Sequence, residues 1–149
     1  KYALQCAPRA LLADREVVLA AVTHNGSALQ YATRILREDR GVVLAAVASD
    51  ADALQYAPHE LWQDRQLVLA AAGKNGLVLR LAPIWLRNDA EIALAAIRSM
   101  PASLEYIAAD LFEDYDFVLQ AVQATELALQ FAPASLRSDR EIVLAAVTK

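Results

Sequence analysis

Six aspartates spaced 25 residues apart are the most conspicuous chemical groups in this sequence. They recur without insertion or deletion as Asp14, Asp39, Asp64, Asp89, Asp114 and Asp139. A row of carboxylates suggests cation binding, but Ca²⁺ needs about six to eight oxygens around one ion, and each copy supplies one Asp. An Asp just before an apolar run is typical of a helix N-cap, whose carboxylate accepts hydrogen bonds from the first turn. We therefore interpret the six aspartates as structural N-caps and predict no metal site.

Arginines form two further rows at the same spacing. One row directly follows the aspartates, and the other closes the copies: Arg15, Arg40, Arg65 and Arg140, then Arg37, Arg87 and Arg137. Helical repeat proteins can read RNA one base per repeat, which requires a basic groove and stacking aromatics. Here the arginines neighbour acidic residues, the net charge is −4 and the pI is about 5.1. We therefore expect ion pairs between repeats and no nucleic-acid partner, and we rank RNA binding low.

Residues that could act as a nucleophile or a general base do not recur together. Cys6, His24 and His59 occupy three different repeat positions, so the spacing assembles no Cys–His or His–carboxylate pair. The sequence also lacks a phosphate-binding loop, a dinucleotide fingerprint and zinc-ligand spacing. We therefore predict no catalytic residue, no cofactor and no enzymatic activity.

The first half of each copy must form the element that carries these groups. In residues 14–22 it reads Asp-Arg-Glu-Val-Val-Leu-Ala-Ala-Val, and at 100° per residue its apolar positions cover an arc of about 200°. That arc is wider than the stripe of an ordinary surface helix. The Asp cap and the recurring Ala-Ala pair favour an α-helix over a buried strand. Asn25-Gly26 and Asn75-Gly76 predict helix ends with a left-handed glycine.

The second half predicts a short, broken return segment. Leu29, Ala32 and Leu36 have helical spacing, but four copies carry a proline in the middle: Pro8, Pro58, Pro83 and Pro133. A proline inside a helix removes a hydrogen bond and clashes with the preceding turn, whereas the first helical position accepts it. We therefore expect two one-turn segments, α or 3₁₀, in each return.

One copy cannot bury its own apolar faces, so the copies must stack. The sequence predicts an all-α solenoid or superhelix of about six 25-residue repeats, each one α-helix plus a short return. We expect a single domain over 1–149, divided into a partial repeat 1–13, the repeats 14–38, 39–63, 64–88, 89–113 and 114–138, and a partial repeat 139–149. Because both ends stop within a repeat, we expect a larger parent protein or partners that cover the ends.

The repeat unit also resembles a known family. Asp-Arg-Glu-Val-Val-Leu-Ala-Ala-Val followed by Asn-Gly, Ala-Leu-Gln-Tyr-Ala and Leu-Arg is similar to the tandem repeats called domain of unknown function 4116. Residues 14–38 match nearly throughout, and the segments 89–113 and 114–138 depart most, at Ala90, Pro101, Tyr115 and Glu126. That family is abundant in microalgae and other protists, and it carries no established activity, so the resemblance implies no functional residue. At the level of fold it is similar to leucine-rich-repeat-variant solenoids.

Large apolar residues that the repeat does not need are the candidate partner contacts. They break positions that are otherwise polar or small: Leu12, Ile35, Trp62, Trp85 and Phe112. Aromatic anchors are typical of interface hot spots, and local packing is the alternative. Anchors must be exposed. By contrast, one position that interchanges aromatic and aliphatic residues predicts a mostly buried packing site: Cys6, Tyr31, Tyr56, Leu81, Tyr106 and Phe131.

These observations favour a non-enzymatic protein–protein interaction or scaffold module, one form of which is a structural subunit of a larger assembly. The alternatives are a passive repeat spacer attached to an enzyme or effector and, ranked lower, an RNA-binding helical repeat. No apolar run approaches the roughly 20 residues of a membrane-spanning helix, and no signal-peptide pattern is present. We therefore expect no membrane insertion and a soluble chain in the cytoplasm or in an organelle such as a plastid.

Overall fold

The computed structural model describes residues 4–148, and this part of the chain is α-helical and 3₁₀-helical without a strand. One long α-helix follows each capping Asp. These long helices span Arg15–His24, Arg40–Ser49, Arg65–Ala72, Ala90–Ser99, Tyr115–Ala124 and Arg140–Val147. The predicted all-α repeat fold is therefore confirmed. Within residues 4–148, no helix has both the length and the hydrophobicity needed to cross a bilayer.

Each return segment is broken into two parts, as predicted. The first part is a 3₁₀ helix: Leu4–Cys6, Gly26–Tyr31, Ala51–Tyr56, Gly76–Arg80, Pro101–Tyr106 and Glu126–Phe131. The second part is a single α turn at Arg9–Leu12, Arg34–Glu38, Ile84–Arg87 and Ala134–Arg137, but a 3₁₀ turn at His59–Gln63 and Ala109–Glu113. The residue before the second part is extended, with φ −65° and ψ 157° at Pro58, and these dihedrals suit proline.

The chain forms two compact units that divide after Lys74. In each unit, successive long helices pack against one another and successive 3₁₀ helices do the same, as stacking of repeats requires. Residues at equivalent repeat positions fill both cores, and the fully buried ones include Val18, Leu29, Val43 and Leu54 in the first unit and Leu79, Ile92 and Ile142 in the second. The single domain over 1–149 stays a prediction.

Gly26 and Gly76 do not end the long helices in a left-handed conformation, so that prediction is wrong. No described residue has a positive φ. The first long helix ends at the extended Asn25, with φ −153°, and Gly26 then opens a 3₁₀ helix. A Cβ atom at Gly26 would overlap the carbonyl oxygen of Ala46, and one at Gly76 would overlap that of Ala96. Glycine is needed here because the long helix of the next repeat approaches closely.

Candidate functional site

The six aspartates act on their own helices. Asp14 Oδ1 accepts hydrogen bonds from the backbone N–H of Glu16 at 2.9 Å and of Val17 at 3.2 Å. The same pair of bonds recurs at Asp39, Asp64, Asp89 and Asp139, and Asp114 accepts one from Phe117. Within residues 4–148, no cluster of three or more His, Cys, Asp or Glu side chains is arranged to hold a metal ion. The aspartates are thus separate helix caps.

In the first unit, the arginine after the cap links one repeat to the next. Arg15 Nε donates a hydrogen bond to Asp39 Oδ2 at 2.9 Å, and Arg40 binds Asp64 together with Gln66. These contacts confirm the predicted ion pairs between repeats. The guanidinium of Arg15 holds the pKa of Asp39 below its ordinary value, and Arg40 has the same effect on the pKa of Asp64. Because the arginines are exposed, solvent screening keeps each pair weak.

Tyr115 takes the place of this arginine in the second unit and makes an equivalent link. Its hydroxyl donates a hydrogen bond to Glu141 Oε2 at 2.9 Å and lies 3.5 Å from Asp139 Oδ1. The hydrogen bond to Glu141 is the main cause that raises the pKa of Tyr115 to about 12. The connection from one repeat to the acidic start of the next helix thus persists although the residue type differs.

The candidate anchors Trp62 and Phe112 are 6% and 3% exposed, so these two lack the exposure that an anchor requires. Both lie in the two return turns that are 3₁₀ rather than α, and there the side chain reaches the core. The ring of Phe112 packs edge-on against Phe117 at a centroid distance of 5.5 Å and stacks on Phe131 at 5.4 Å. These two residues are therefore part of the core, which is the alternative of local packing.

The other candidate anchors are more accessible. Ile35 is 78% exposed and Trp85 is 52% exposed, whereas Leu12 is half-buried. Two residues that were not among the candidates lie close to Trp85 in the chain: Ile84 is 62% exposed and Leu81 is 50% exposed. The second unit thus presents three large apolar side chains within five residues.

The repeat position of Cys6 is not the buried packing site that its residue types predict. Cys6, Leu81 and Phe131 are exposed, and the tyrosines at this position are half-buried. The reason is that this residue closes the 3₁₀ helix at the surface, whereas residues two or three places earlier, such as Ala28 and Leu29, turn into the core. His24 and His59 are also exposed, and they lie in different repeats.

A polar cleft of about 350 Å³ lies between repeats 14–38 and 39–63, and we call it the Arg37 cleft. Its lining residues are Arg34, Arg37, Glu38, Gln55, Tyr56, Ala57 and Pro58. Arg34 Nε binds Glu38 Oε1 at 2.7 Å. The Nε atom of Arg37 is sealed from solvent and has no hydrogen-bond partner in the described part of the chain.

A second cleft of about 260 Å³ lies between repeats 64–88 and 89–113, and we call it the Trp85 cleft. Its lining residues are Ile84, Trp85, Asn88, Ala108, Ala109 and Asp110. Arg87, which lies 50 residues after Arg37, also has a buried Nε without a hydrogen-bond partner among the described residues. The two clefts thus occupy equivalent return turns but have different linings.

Sequence reasoning missed an alternation at the position of Arg37. Large apolar residues at Leu12, Trp62 and Phe112 alternate with arginine at Arg37, Arg87 and Arg137. The pattern therefore repeats every 50 residues, and this spacing is the signal that would have separated the buried aromatics Trp62 and Phe112 from the arginines at the same repeat position.

Comparison with family models gives five matches in tandem, to residues 1–37, 14–62, 39–83, 64–112 and 114–149. All five are to one model, described as a domain of unknown function, DUF4116. No curated protein and no solved structure matches the sequence. Because the matches run through nearly the whole sequence and follow the same repeats as the structure, the chain belongs to the DUF4116 family.

Proposed function

We propose that the chain is a non-enzymatic protein–protein interaction module, and that it contacts its partner through Leu81, Ile84 and Trp85. The exposure of these three side chains carries the proposal, because each is at least half-exposed and all lie within five residues. Apolar side chains exposed together are typical of interaction sites. Tryptophan is also among the residues that contribute most to interface binding energy.

The Trp85 cleft supplies the shape for such a contact. Ile84 and Trp85 form one wall, and Ala108, Ala109 and Asp110 from the next repeat contribute to the other. An apolar side chain of a partner protein would fill the cleft and remove the indole from water, which is favourable in proportion to the area buried. The carboxylate of Asp110 offers an acceptor at the rim. A scaffold or a structural subunit of an assembly would use the same surface.

Two features support this function over the alternatives. Cys6, His24 and His59 are exposed and lie in separate parts of the chain, which favours a role without catalysis. Arg15 and Arg40 bind acidic side chains of the next repeat, which leaves less free positive charge for an RNA backbone. A passive spacer would need no exposed apolar surface.

The test compares three tagged chains in affinity capture from cells of the source organism: the wild type, Trp85→Ser and Leu127→Ser. Leu127 is an exposed apolar residue of the same unit outside the Trp85 cleft, so it is the matched control. We expect a protein that the wild type and Leu127→Ser retain and that Trp85→Ser loses. Equal retention of the protein by all three chains would contradict the proposal that Trp85 contacts the partner. If no chain retains a protein, the result would favour the passive spacer. Filter binding of single-stranded RNA at low salt tests the remaining alternative.

A further inference from the structure

We propose that the Arg37 cleft binds a carboxylate through the side chains of Arg37, Gln55 and Tyr56. The cleft lies in the first unit and the Trp85 cleft lies in the second. The proposal therefore does not depend on the proposed protein-binding surface, and each can fail without the other.

The first argument is unused hydrogen-bonding capacity. The structure gives no hydrogen bond to the side chains of Arg37, Gln55 and Tyr56 within residues 4–148, although all three line the same cleft. Together they offer the planar N–H fork of a guanidinium, a carboxamide NH₂ and a phenolic O–H. Of these groups, only the Nε of Arg37 is withdrawn from water, whereas Gln55 is exposed and Tyr56 is half-buried. The free-energy cost of lacking a partner therefore falls on Arg37. A carboxylate in the cleft would lie next to all three side chains and would offer them an acceptor.

The second argument is charge. Four charged side chains bear on this cleft: Arg34, Arg37, Glu38 and Glu60. Arg34 already binds Glu38 at 2.7 Å, and Glu60 adds a further attraction to Arg34. Arg37 forms no ion pair within the described residues, so an incoming anion meets its positive charge without displacing an existing partner. A carboxylate is an acceptor-only group that pairs with arginine in a bidentate geometry.

The size of the cleft limits the ligand. About 350 Å³ lies at the lower end of the range of roughly 300–1,000 Å³ for binding pockets. It accommodates one acidic side chain or the carboxyl terminus of a peptide. The ligand we assign is therefore a single carboxylate group.

The equivalent place in the second unit is an internal control. Arg87 stands 50 residues after Arg37 and has the same buried Nε, but Glu105 stands at the position of Gln55 and Ile84 at that of Arg34. At this place Glu105 and Asp110 outnumber the single Arg87, whereas Glu38 and Glu60 are matched by Arg34 and Arg37. The excess of negative charge disfavours a carboxylate ligand. We therefore expect binding at Arg37 and none at Arg87.

The experiment is an NMR titration of the arginine Nε–Hε resonances of the full chain with sodium acetate, with sodium chloride at equal ionic strength as the reference. We expect a saturable shift of the Arg37 resonance with acetate and no such shift at Arg87. Sodium phosphate in a parallel titration distinguishes a carboxylate site from a phosphate site. Assignment of Arg37 follows from the resonance that disappears in Arg37→Lys.

Variants test the remaining groups. Gln55→Glu should weaken acetate binding by about tenfold or more, because it places a negative charge in the cleft that repels the acetate ion. Tyr56→Phe removes only the hydroxyl and should weaken binding less. Arg37→Lys keeps the charge but loses the planar fork, and the backbone resonances of Gln55 and Tyr56 should then no longer respond. Thermal unfolding of each variant checks that the fold is intact.

Four results would overturn the assignment. They are no saturable shift at Arg37, the same shift with chloride, a response to phosphate but not to acetate, and an equal response at Arg87. The first two would leave Arg37 with a structural role alone. A response to phosphate alone would show that the cleft is a phosphate site. An equal response at Arg87 would show that acetate acts on arginine side chains in general.

Discussion

The Arg37 cleft is lined by charged and polar side chains, whereas the Trp85 cleft, formed by the equivalent return turns 50 residues later, is lined mainly by apolar ones. Arg34 is replaced by Ile84, and Glu38 by Asn88. Arg37, whose Nε is buried, lines the first cleft, and its counterpart Arg87 also has a buried Nε but does not line the second. The repeat thus keeps its caps and core while the exposed positions of the return turn diverge. Both binding sites that we propose lie at those positions.

The backbone also differs between the two clefts at one point. The return turn at the Arg37 cleft opens with Pro58, which has no N–H. At the Trp85 cleft the equivalent residue is Ala108, and its N–H donates a hydrogen bond to the carbonyl oxygen of Arg87 at 3.1 Å. Thr33 makes the same bond to Leu12. Copies without proline thus gain a backbone hydrogen bond to the preceding repeat.

The largest expected effect separates the buried aromatics from the exposed one. Trp62→Ala and Phe112→Ala should each lower the free energy of unfolding by about 3–5 kcal/mol, because they leave cavities in the core. Trp85→Ala should change it by no more than about 0.5 kcal/mol, as is usual for surface positions. Urea denaturation followed by circular dichroism measures all three. A large loss in Trp85→Ala would mean that this residue is a packing residue as well.

The next effect tests whether the 50-residue equivalence holds in the core. Gly26→Ala and Gly76→Ala should each destabilise by about 1–3 kcal/mol, because the new Cβ overlaps the carbonyl oxygen of a neighbouring helix. Gly73→Ala is the control, since Gly73 has helical dihedrals and the nearest atom to a Cβ there is 3.5 Å away. That variant should be neutral or stabilised by up to about 1 kcal/mol. Unequal losses at Gly26 and Gly76 would contradict the equivalence of the two units.

A smaller effect concerns the ion pairs Arg15–Asp39 and Arg40–Asp64, which should weaken at acidic pH. The pKa values of Asp39 and Asp64 are lowered in the folded chain. Their contribution to stability is therefore complete above the ordinary carboxyl pKa of about 3.9 and is lost as the pH falls through the lowered values. Arg15→Gln with Arg40→Gln should make the unfolding free energy less dependent on pH below about 4. If the double variant and the wild type lose stability equally as the pH falls below about 4, these ion pairs do not contribute to the stability of the fold.

The link at Tyr115 should fail at the opposite end of the pH scale. Its pKa is raised to about 12, so its contribution is complete below the ordinary value of about 10 and is lost as the pH rises from there to about 12. Tyr115→Phe should remove this loss of stability at alkaline pH and leave the pH dependence of the unfolding free energy below about 4 unchanged. The absorbance of tyrosinate in the wild type minus that in Tyr115→Phe reports the titration directly. A midpoint near 10 would show that the bond to Glu141 does not persist in solution.

The sequence predicts the elements of each repeat and the ion pairs between neighbouring repeats, but it misses what depends on how closely two repeats pack. The Asp caps, the long helices and the broken returns follow from local rules, and they appear in the structure. Trp62 is buried in a return turn that is 3₁₀ rather than α, and the need for Gly26 depends on how closely the next helix approaches. The lack of a partner for the Nε of Arg37 among the described residues likewise depends on how two neighbouring repeats pack around the cleft. In the sequence, the alternation of large apolar residues with arginine every 50 residues is the signal that distinguishes the position of Trp62 from that of Arg37.

The smallest effect concerns the backbone difference between the clefts. Ala108 has φ −64° and ψ 136°, and the preceding Ile107 is extended, so both accept a proline at position 108. Ala108→Pro loses the hydrogen bond to Arg87, about 0.5–1.5 kcal/mol, and gains about 0.4–1 kcal/mol from a less flexible unfolded chain. The two terms nearly cancel, so the unfolding free energy should change by less than about 1 kcal/mol. Pro58→Ala, the reverse change at the other cleft, breaks no hydrogen bond and should cost about 0.4–1 kcal/mol. A much larger loss in Ala108→Pro than in Pro58→Ala would show that the hydrogen bond, and not only the dihedral angles, fixes the return turn beside Trp85.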